Sequence, residues 1–463
     1  MNVPPAPTRN ARVERLLHAP IAPTVLRLAA PGIVLVGFQS AVSITDAYFV
    51  GRLGTAPLAG LSLVFPMLML LQMMSAGAMG GGVASAIARA LGAGNEQAAR
   101  SLTVHAMVIG ASFGLVFTLC ILAAGPSLYR LLGGRSTVLD AALAYSDIIF
   151  SGAVLVWLAN TLASILRGAG NMVVPALALG GATLVHVPLS GMLVLGGGPL
   201  PAMGIAGAGV AYLANFGFAS AAMLAYLLRR GSRLRPGRAD LRLNAGMFWE
   251  ILRVGAISSL NSMLTVLTAV LLTGIVGSYG TAALAGYGVG VRLELMQVPL
   301  VFAIGQALVA HIGTNIGAGQ VGRAKHIAWT GALLAACVGL AIGAFVALFP
   351  LAWAGLFSTD PAVLEACSQY LRRVAPCYPF LSVGVALYFA SQGAGRMAMP
   401  LLAGAFRLMI ATAGGFAAVR AGAPVSVVFL VIATAMFVYG SFTAWAVWRA
   451  DWATRSPAAA RPA

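Results

Sequence analysis

Four stretches of this 463-residue chain recur 225 or 226 residues further on, in the same order, and that duplication limits the folds open to it more than any other feature. GTAPLAGLS at 54–62 returns as GTAALAGYG at 280–288, and GAGNEQAAR at 92–100 returns as GAGQVGRAK at 317–325. VLDAALAY at 138–145 returns as VLEACSQY at 363–370, and RGAGNMVVP at 167–175 as QGAGRMAMP at 392–400. Four matches at one near-constant offset mark a repeated structural unit.

Between the matches the chain is apolar: 60% of its residues are hydrophobic and 8% charged, against about a quarter charged in soluble domains. Runs of near 20 apolar residues, each long enough to cross roughly 30 Å of hydrocarbon, fall at about twelve places. They cover 28–50, 57–83, 102–124, 141–165, 175–196, 204–228, 249–276, 281–309, 327–349, 364–390, 398–419 and 424–448. Lipid offers the backbone no hydrogen-bond partner, so each run must be helical. The expected fold is an all-α polytopic membrane protein of about twelve transmembrane helices in two six-helix repeats. Six crossings return the chain to the side it started from, so the repeats are parallel; transporters built this way bind substrate near mid-bilayer between the halves. The expected parts are an N-terminal tail (1–27), a first bundle (28–228), a basic linker (229–248), a second bundle (249–448) and a C-terminal tail (449–463).

A formal charge of +17 raises the question of a nucleic-acid partner. Most of the basic residues, including the run from Arg229 to Arg253, fall in or beside the segments that share a side with the N-terminus. That is the positive-inside bias; it places both termini in the cytoplasm, and no nucleic acid is expected. The linker's charge is accounted for by topology and anionic lipid. The first 20 residues are rich in Pro and Arg and show no cleavable signal. The four cysteines lack metal-ligand spacing, and GGRS and GAGN lack the order of a phosphate-binding loop, so neither a metal nor another cofactor is expected.

Only 11 acidic residues are present, and those inside spans are costly enough to be functional candidates by default. Asp46 stands near the outer end of the first span, and its counterpart in the second copy is Leu271 or Leu272. That asymmetry assigns an ion-coupling role to the first bundle; the plainer reading is a solvated carboxylate at a helix end. His186 lies midway along the fifth span, and Ser190 follows one turn later on the same face. An imidazole titrates near neutrality and suits coupling; the two residues equally suit hydrogen bonding between helices. Tyr145 and Asp147 in the fourth span point in different directions, and Tyr145 is the preferred cavity residue. Glu294 follows Arg292 by two positions in the eighth span, as cavity lining or as a mutually neutralising pair. Ser258, Asn261, Thr265 and Thr268 draw a polar stripe along the seventh, which either lines a cavity or holds helices together. Pro31, followed by Gly32, predicts a bend in the first span.

LAAPGI at 28–33, TDAYFVGRLGTAPLAG at 45–60, GAGNEQAAR at 92–100, LRGAGNMVVP at 166–175 and MGIAGAGVAY at 203–212 together resemble the multidrug and toxic compound extrusion family, and within it the DinF branch. The resemblance implies two six-helix bundles in a V-shaped architecture and cation-coupled, alternating-access export of amphipathic, often cationic, drugs or toxic compounds. It places Asp46 on the family's proton-exchanging aspartate, Pro31 on a bend that follows its protonation, and Tyr145 on a cavity tyrosine. His186 and Ser190 fall where the branch has an Asn and an Asp or Asn, and here the chain departs from it. The sodium site of the other branch needs carboxylates in spans 7 and 10, where this chain has only Glu250 and Glu365, both at span ends. Protons are therefore the expected coupling ion, with sodium-coupled efflux as an alternative. A lipid-linked saccharide flippase of the same superfamily is another; it calls for a strongly cationic cavity, and only Arg292 is clearly intramembrane. The expected setting is the bacterial inner membrane, with small amphipathic substrates and lipid as partners to a monomer.

Overall fold

A computed structural model describes residues 11–197 and 201–452; the remainder of both expected tails lies outside the described residues. In chain order the α-helices of the first half are α1 (Ala11–His18), α2 (Ile21–Gly51), α3 (Thr55–Gln72), α4 (Gly80–Gly92), α5 (Glu96–Leu131), α6 (Ser136–Ser151), α7 (Ala153–Gly168), α8 (Val173–Leu195) and α9 (Ile205–Leu228). The second half contributes α10 (Ala245–Gly277), α11 (Thr281–Gly317), α12 (Val321–Leu348), α13 (Pro350–Ala354), α14 (Pro361–Val374), α15 (Tyr378–Ala394), α16 (Ala398–Arg420) and α17 (Val425–Arg449). Among the described residues, 11 helical segments are long and apolar enough to cross a bilayer, and α6 with α7, bent by 50° at Gly152, makes a twelfth. This agrees with the expected all-helical fold of about twelve spans.

One element had no counterpart in the expectations. Met73–Met79, between α3 and α4, is a π-helix, whereas α11 in the second half is uninterrupted α-helix. A π-turn absorbs one extra residue without breaking the helix. The repeat offset is 226 at 54–62 and 225 at 92–100, so the first copy has gained one residue between these segments. The π-helix lies in that interval, and the change of offset is the trace it leaves in the sequence.

The chain divides into two compact units. Of the described residues, those within 30–255 form one, and those up to Ala29 together with those from Ala256 form the other. The first is built on one buried cluster that includes Val83, Ile87, Phe150, Trp157 and Phe216. Its helices approach closely at glycines: a Cβ on Gly207 of α9 would lie 2.9 Å from the Val194 nitrogen of α8 and closer still to the Leu193 carbonyl. Its basic loop after α9 is tied to α5 by Arg233 to Glu96 at 2.7 Å, by Arg100 to Asp240 at 3.6 Å, and by the Asn244 N–H donating to His105 Nε2 at 2.8 Å.

The other unit has buried clusters around Tyr370, Tyr378 and Phe429 and around Ile304, Leu308 and Leu387. The segment read from sequence as a tail begins here with α1, whose Val13, Leu16 and Leu17 are buried. Its open C-terminal carbonyls are met by α11 and α12: Asn315 Nδ2 donates to the Leu16 oxygen at 3.0 Å, His311 Nε2 lies 2.9 Å from the same oxygen, and Arg323 donates to Ala19.

Helix contacts this close predict opposite signs for two similar substitutions. Gly207→Ala should destabilise by about 1–3 kcal/mol through overpacking. Gly217→Ala, where nothing lies within 4 Å of the added Cβ, should be neutral or stabilise by up to about 1 kcal/mol through helix propensity. Thermal unfolding midpoints of the two variants in detergent check both signs.

Candidate functional site

Side chains of α2 and α8 that meet inside the first unit create the site. Gly180 and Gly191 of α8 face the rings of Phe38 and Phe49 of α2; a Cβ on Gly191 would sit 2.7 Å from the Phe49 ring, so glycine makes room for that ring. The short side chain of Asp46 then reaches across. Its Oδ1 accepts a hydrogen bond from Ser190 Oγ at 2.7 Å and lies 3.0 Å from His186 Nε2. Asp46, His186 and Ser190 are respectively 4%, 1% and 0% exposed. The i, i+4 spacing of His186 and Ser190 delivers both groups to one oxygen.

The imidazole is the only ion-pair partner of Asp46 among the described residues, and no Lys or Arg stands against it. The backbone of Ala211 lies against the same imidazole. A carboxylate and an imidazole sharing one contact out of water can hold, lose or exchange a proton with little movement of atoms.

Tyr145 of α6, 2% exposed, lies within electrostatic reach of Asp46, as does Tyr212 of α9. A chain of amides continues from there. Gln72 Nε2 donates to the Tyr212 hydroxyl at 2.9 Å, and Asn160 Nδ2 donates to Gln72 Oε1 at 3.0 Å and to Ser75 Oγ at 2.8 Å. Ser75 belongs to the π-helix, so the extra residue of the first copy feeds a polar network into the same bundle. Gln72, Ser75, Asn160 and Tyr212 were not singled out from sequence; polar amides inside apolar runs, together with the shift in repeat offset, are the signals that mark them.

The structure brings Asp46, His186, Ser190 and Tyr145 into one neighbourhood and leaves the other expected residues elsewhere. Asp147 is exposed on the opposite side of α6 from Tyr145. Glu294, in the other unit, accepts from the Tyr370 hydroxyl, while Arg292 stacks over the Phe357 ring at 5.1 Å. The neutralising Arg292–Glu294 pair is therefore not formed, because side chains two apart on a helix diverge. Asn261 is buried with its Oδ1 against Gly404 and Gln392 of α15 donates to Ser258, while Thr265 and Thr268 donate to carbonyls of their own helix. α2 continues through Pro31 as one helix. Glu250 is held by Arg89 at 2.7 Å and Arg253 at 2.9 Å, and Glu365 accepts from Gln369 on the surface, so each of these carboxylates has a partner of its own.

A duplicated multi-span helical protein with a buried, protonatable carboxylate in one bundle has the construction of a secondary transporter. Comparison with known proteins makes the assignment specific. The MatE family model matches the chain twice, over residues 31–192 and 258–416, and the chain belongs to this family of transporters. A FAD transporter of Shewanella oneidensis is 29% identical over 384 residues, covering 81% of this chain and 82% of that protein. A probable multidrug resistance protein, NorM, of Thermotoga maritima is 23% identical over 380 residues, covering 82% and 81%. Among solved structures, a MOP superfamily transporter from Pyrococcus furiosus, described as having a binding pocket of reversed polarity, superposes with a TM-score of 0.87 at 23% identity over 96% of this chain and 100% of that one. A MATE transporter in its straight conformation gives 0.86 at 24% identity over 96% and 98%, and these likenesses establish the fold.

The Ser190–Asp46 bond predicts energetic coupling between α8 and α2. Ser190→Ala should cost about 0.5–1.5 kcal/mol, and its effect should largely vanish in an Asp46→Leu background. A double-mutant cycle on thermal midpoints measures this; additive effects would mean that the bond contributes nothing.

Proposed function

We propose that this transporter exports small amphipathic, often cationic, compounds from a bacterial cytoplasm in exchange for protons, with Asp46 as the coupling carboxylate and His186 and Ser190 as its switching partners. The observation that carries this reading is the convergence of His186 Nε2 and Ser190 Oγ on one oxygen of a 4% exposed carboxylate. Ionised, Asp46 accepts both bonds and ties α2 to α8. Protonated, it no longer offers a charge, the pull on both donors weakens, and α2 is free to take another position against α8. A cationic substrate and a proton answer the same negative charge, so binding one favours release of the other, which is the coupling that antiport requires.

Protons are preferred to sodium because a sodium ion needs several hard oxygen ligands. Asp46 is instead engaged by an imidazole and a hydroxyl, and Glu250 is engaged by two guanidinium groups. One proton crossing about 100 mV releases about 2.3 kcal/mol, enough to sustain roughly a fifty-fold gradient of a neutral solute. Cytoplasmic termini belong to the same proposal, supported by the positive-inside bias, and so does function as a monomer.

The Shewanella relative named as a FAD transporter favours a second reading of the substrate, a planar aromatic dinucleotide in place of a drug. One assay addresses ion and substrate together. Proteoliposomes loaded with ethidium or with FAD are given an imposed pH gradient or an inward sodium gradient. Ethidium efflux under the pH gradient alone is the expected result. Efflux driven by sodium alone would overturn the coupling ion, and transport of FAD but not ethidium would move the flavin reading to the front.

A further inference from the structure

The basic linker between the repeats is fastened by a histidine that the site around Asp46 does not use. His105, near the start of α5, is 0% exposed and bonded at both ring nitrogens. Its Nε2 faces the backbone N–H of Asn244 at 2.8 Å, and its Nδ1 lies 2.7 Å from the Ser101 carbonyl oxygen. These partners fix the state of the ring. A backbone N–H can only donate, so Nε2 must be the bare, accepting nitrogen; a carbonyl can only accept, so Nδ1 must carry the hydrogen. The neutral imidazole protonated at Nδ1 is the one form that satisfies both. Phe248 of α10 packs on the ring in a T-shaped contact, with centroids 4.7 Å apart.

The charged groups of the elements packed here are engaged with one another. Arg100 of α5 pairs with Asp240 of the linker, Glu96 of α5 with Arg233, and Arg89 of α4 and Arg253 of α10 with Glu250. α7 contributes Arg167, and the linker's Arg238 and Arg242 are exposed. Among the described residues no carboxylate pairs with the His105 imidazole. A second proton on the ring would therefore turn Nε2 into a donor facing a donor, with no acid to hold the charge in place. The Asn244 bond must then break, and the linker loses its tie nearest α10. The fastened form binds one proton fewer than the released form. Fastening is thus complete above the range in which a free imidazole titrates, near 6.5, and is lost as pH falls through it, by up to about tenfold per pH unit. The ion pairs of Glu96 and Asp240 also yield to acid, but in the carboxylate range roughly two units lower.

We propose that His105 is a pH-operated latch, a positioning residue that fastens the basic linker to α5 while its ring is neutral and releases it on acidification. With the linker on the cytoplasmic side, as in the reading above, the connection between the two repeats responds to cytoplasmic pH. The latch acts apart from Asp46 and stands whichever ion drives transport.

Hydrogen exchange at the Asn244 amide of the full chain in detergent tests this, read as protection relative to an unstructured chain at the same pH. Wild-type protection should be level above about pH 7.5 and fall below about 6.5, by up to about tenfold per unit. His105→Gln, whose side-chain oxygen accepts from the same N–H and does not titrate, should stay level down to about pH 5. His105→Leu should lose the protection at every pH, and Asp46→Asn should reproduce the wild-type profile. A wild-type profile level down to about pH 5, or a fall shared by His105→Gln, would overturn the latch. A fall missing from Asp46→Asn would overturn it too, by tracing the response to the site in the first bundle. If His105→Gln does not fold, the wild-type profile decides: a fall that sets in only below about pH 4.5 belongs to Glu96 and Asp240 and contradicts the proposal.

Discussion

The contact on which the rest of this structure depends is the one between the Asp46 carboxylate and its two donors on α8. Inside a stack of helices that faces lipid, a charge has no water to retreat to, and its position must be defended by specific partners. His186 and Ser190 supply them, both to Oδ1. Everything needed to hold that contact is local: glycines of α8 that make room for the rings of Phe38 and Phe49, a four-residue spacing that aims two side chains at one atom, and two phenols within electrostatic reach.

The duplication then explains how one architecture can carry two different interiors. The scaffold residues recur: the turn strings, the equivalent tyrosines Tyr145 and Tyr370, and the even number of spans. The polar interiors do not recur. The first bundle inserts a residue as a π-helix and uses it to bring Ser75 to Asn160, while the second keeps a continuous α11 and sets Glu294 against Tyr370. Two different polar interiors have been written onto one repeated frame by a few polar substitutions and one insertion.

The spans and the repeat were legible in the sequence because both follow from composition and spacing, which lipid reads directly. Asp46, His186 and Ser190 were legible because ionisable and polar groups stand out in an apolar run. Their meeting at one oxygen was less accessible, since it depends on glycine contacts between helices 140 residues apart. The Arg292–Glu294 pairing failed because adjacency in sequence says little about adjacency on a helix surface. The docking of α1 on α11 was hidden because eight residues with two arginines read as tail until their three apolar side chains find a partner. The π-helix was present as a one-residue change of repeat offset, a signal that gains its meaning only from the geometry.

The claim at the centre is that Asp46 couples the proton to transport and does more than hold α2 to α8. The most direct test measures two ethidium fluxes in the same Asp46→Asn proteoliposomes: exchange at equilibrium with no gradient, and uphill movement under an imposed pH gradient. The account predicts that exchange persists at a raised ethidium concentration, which offsets the lost charge, because the amide still accepts from Ser190, while uphill movement is lost. Uphill movement retained in Asp46→Asn would contradict it.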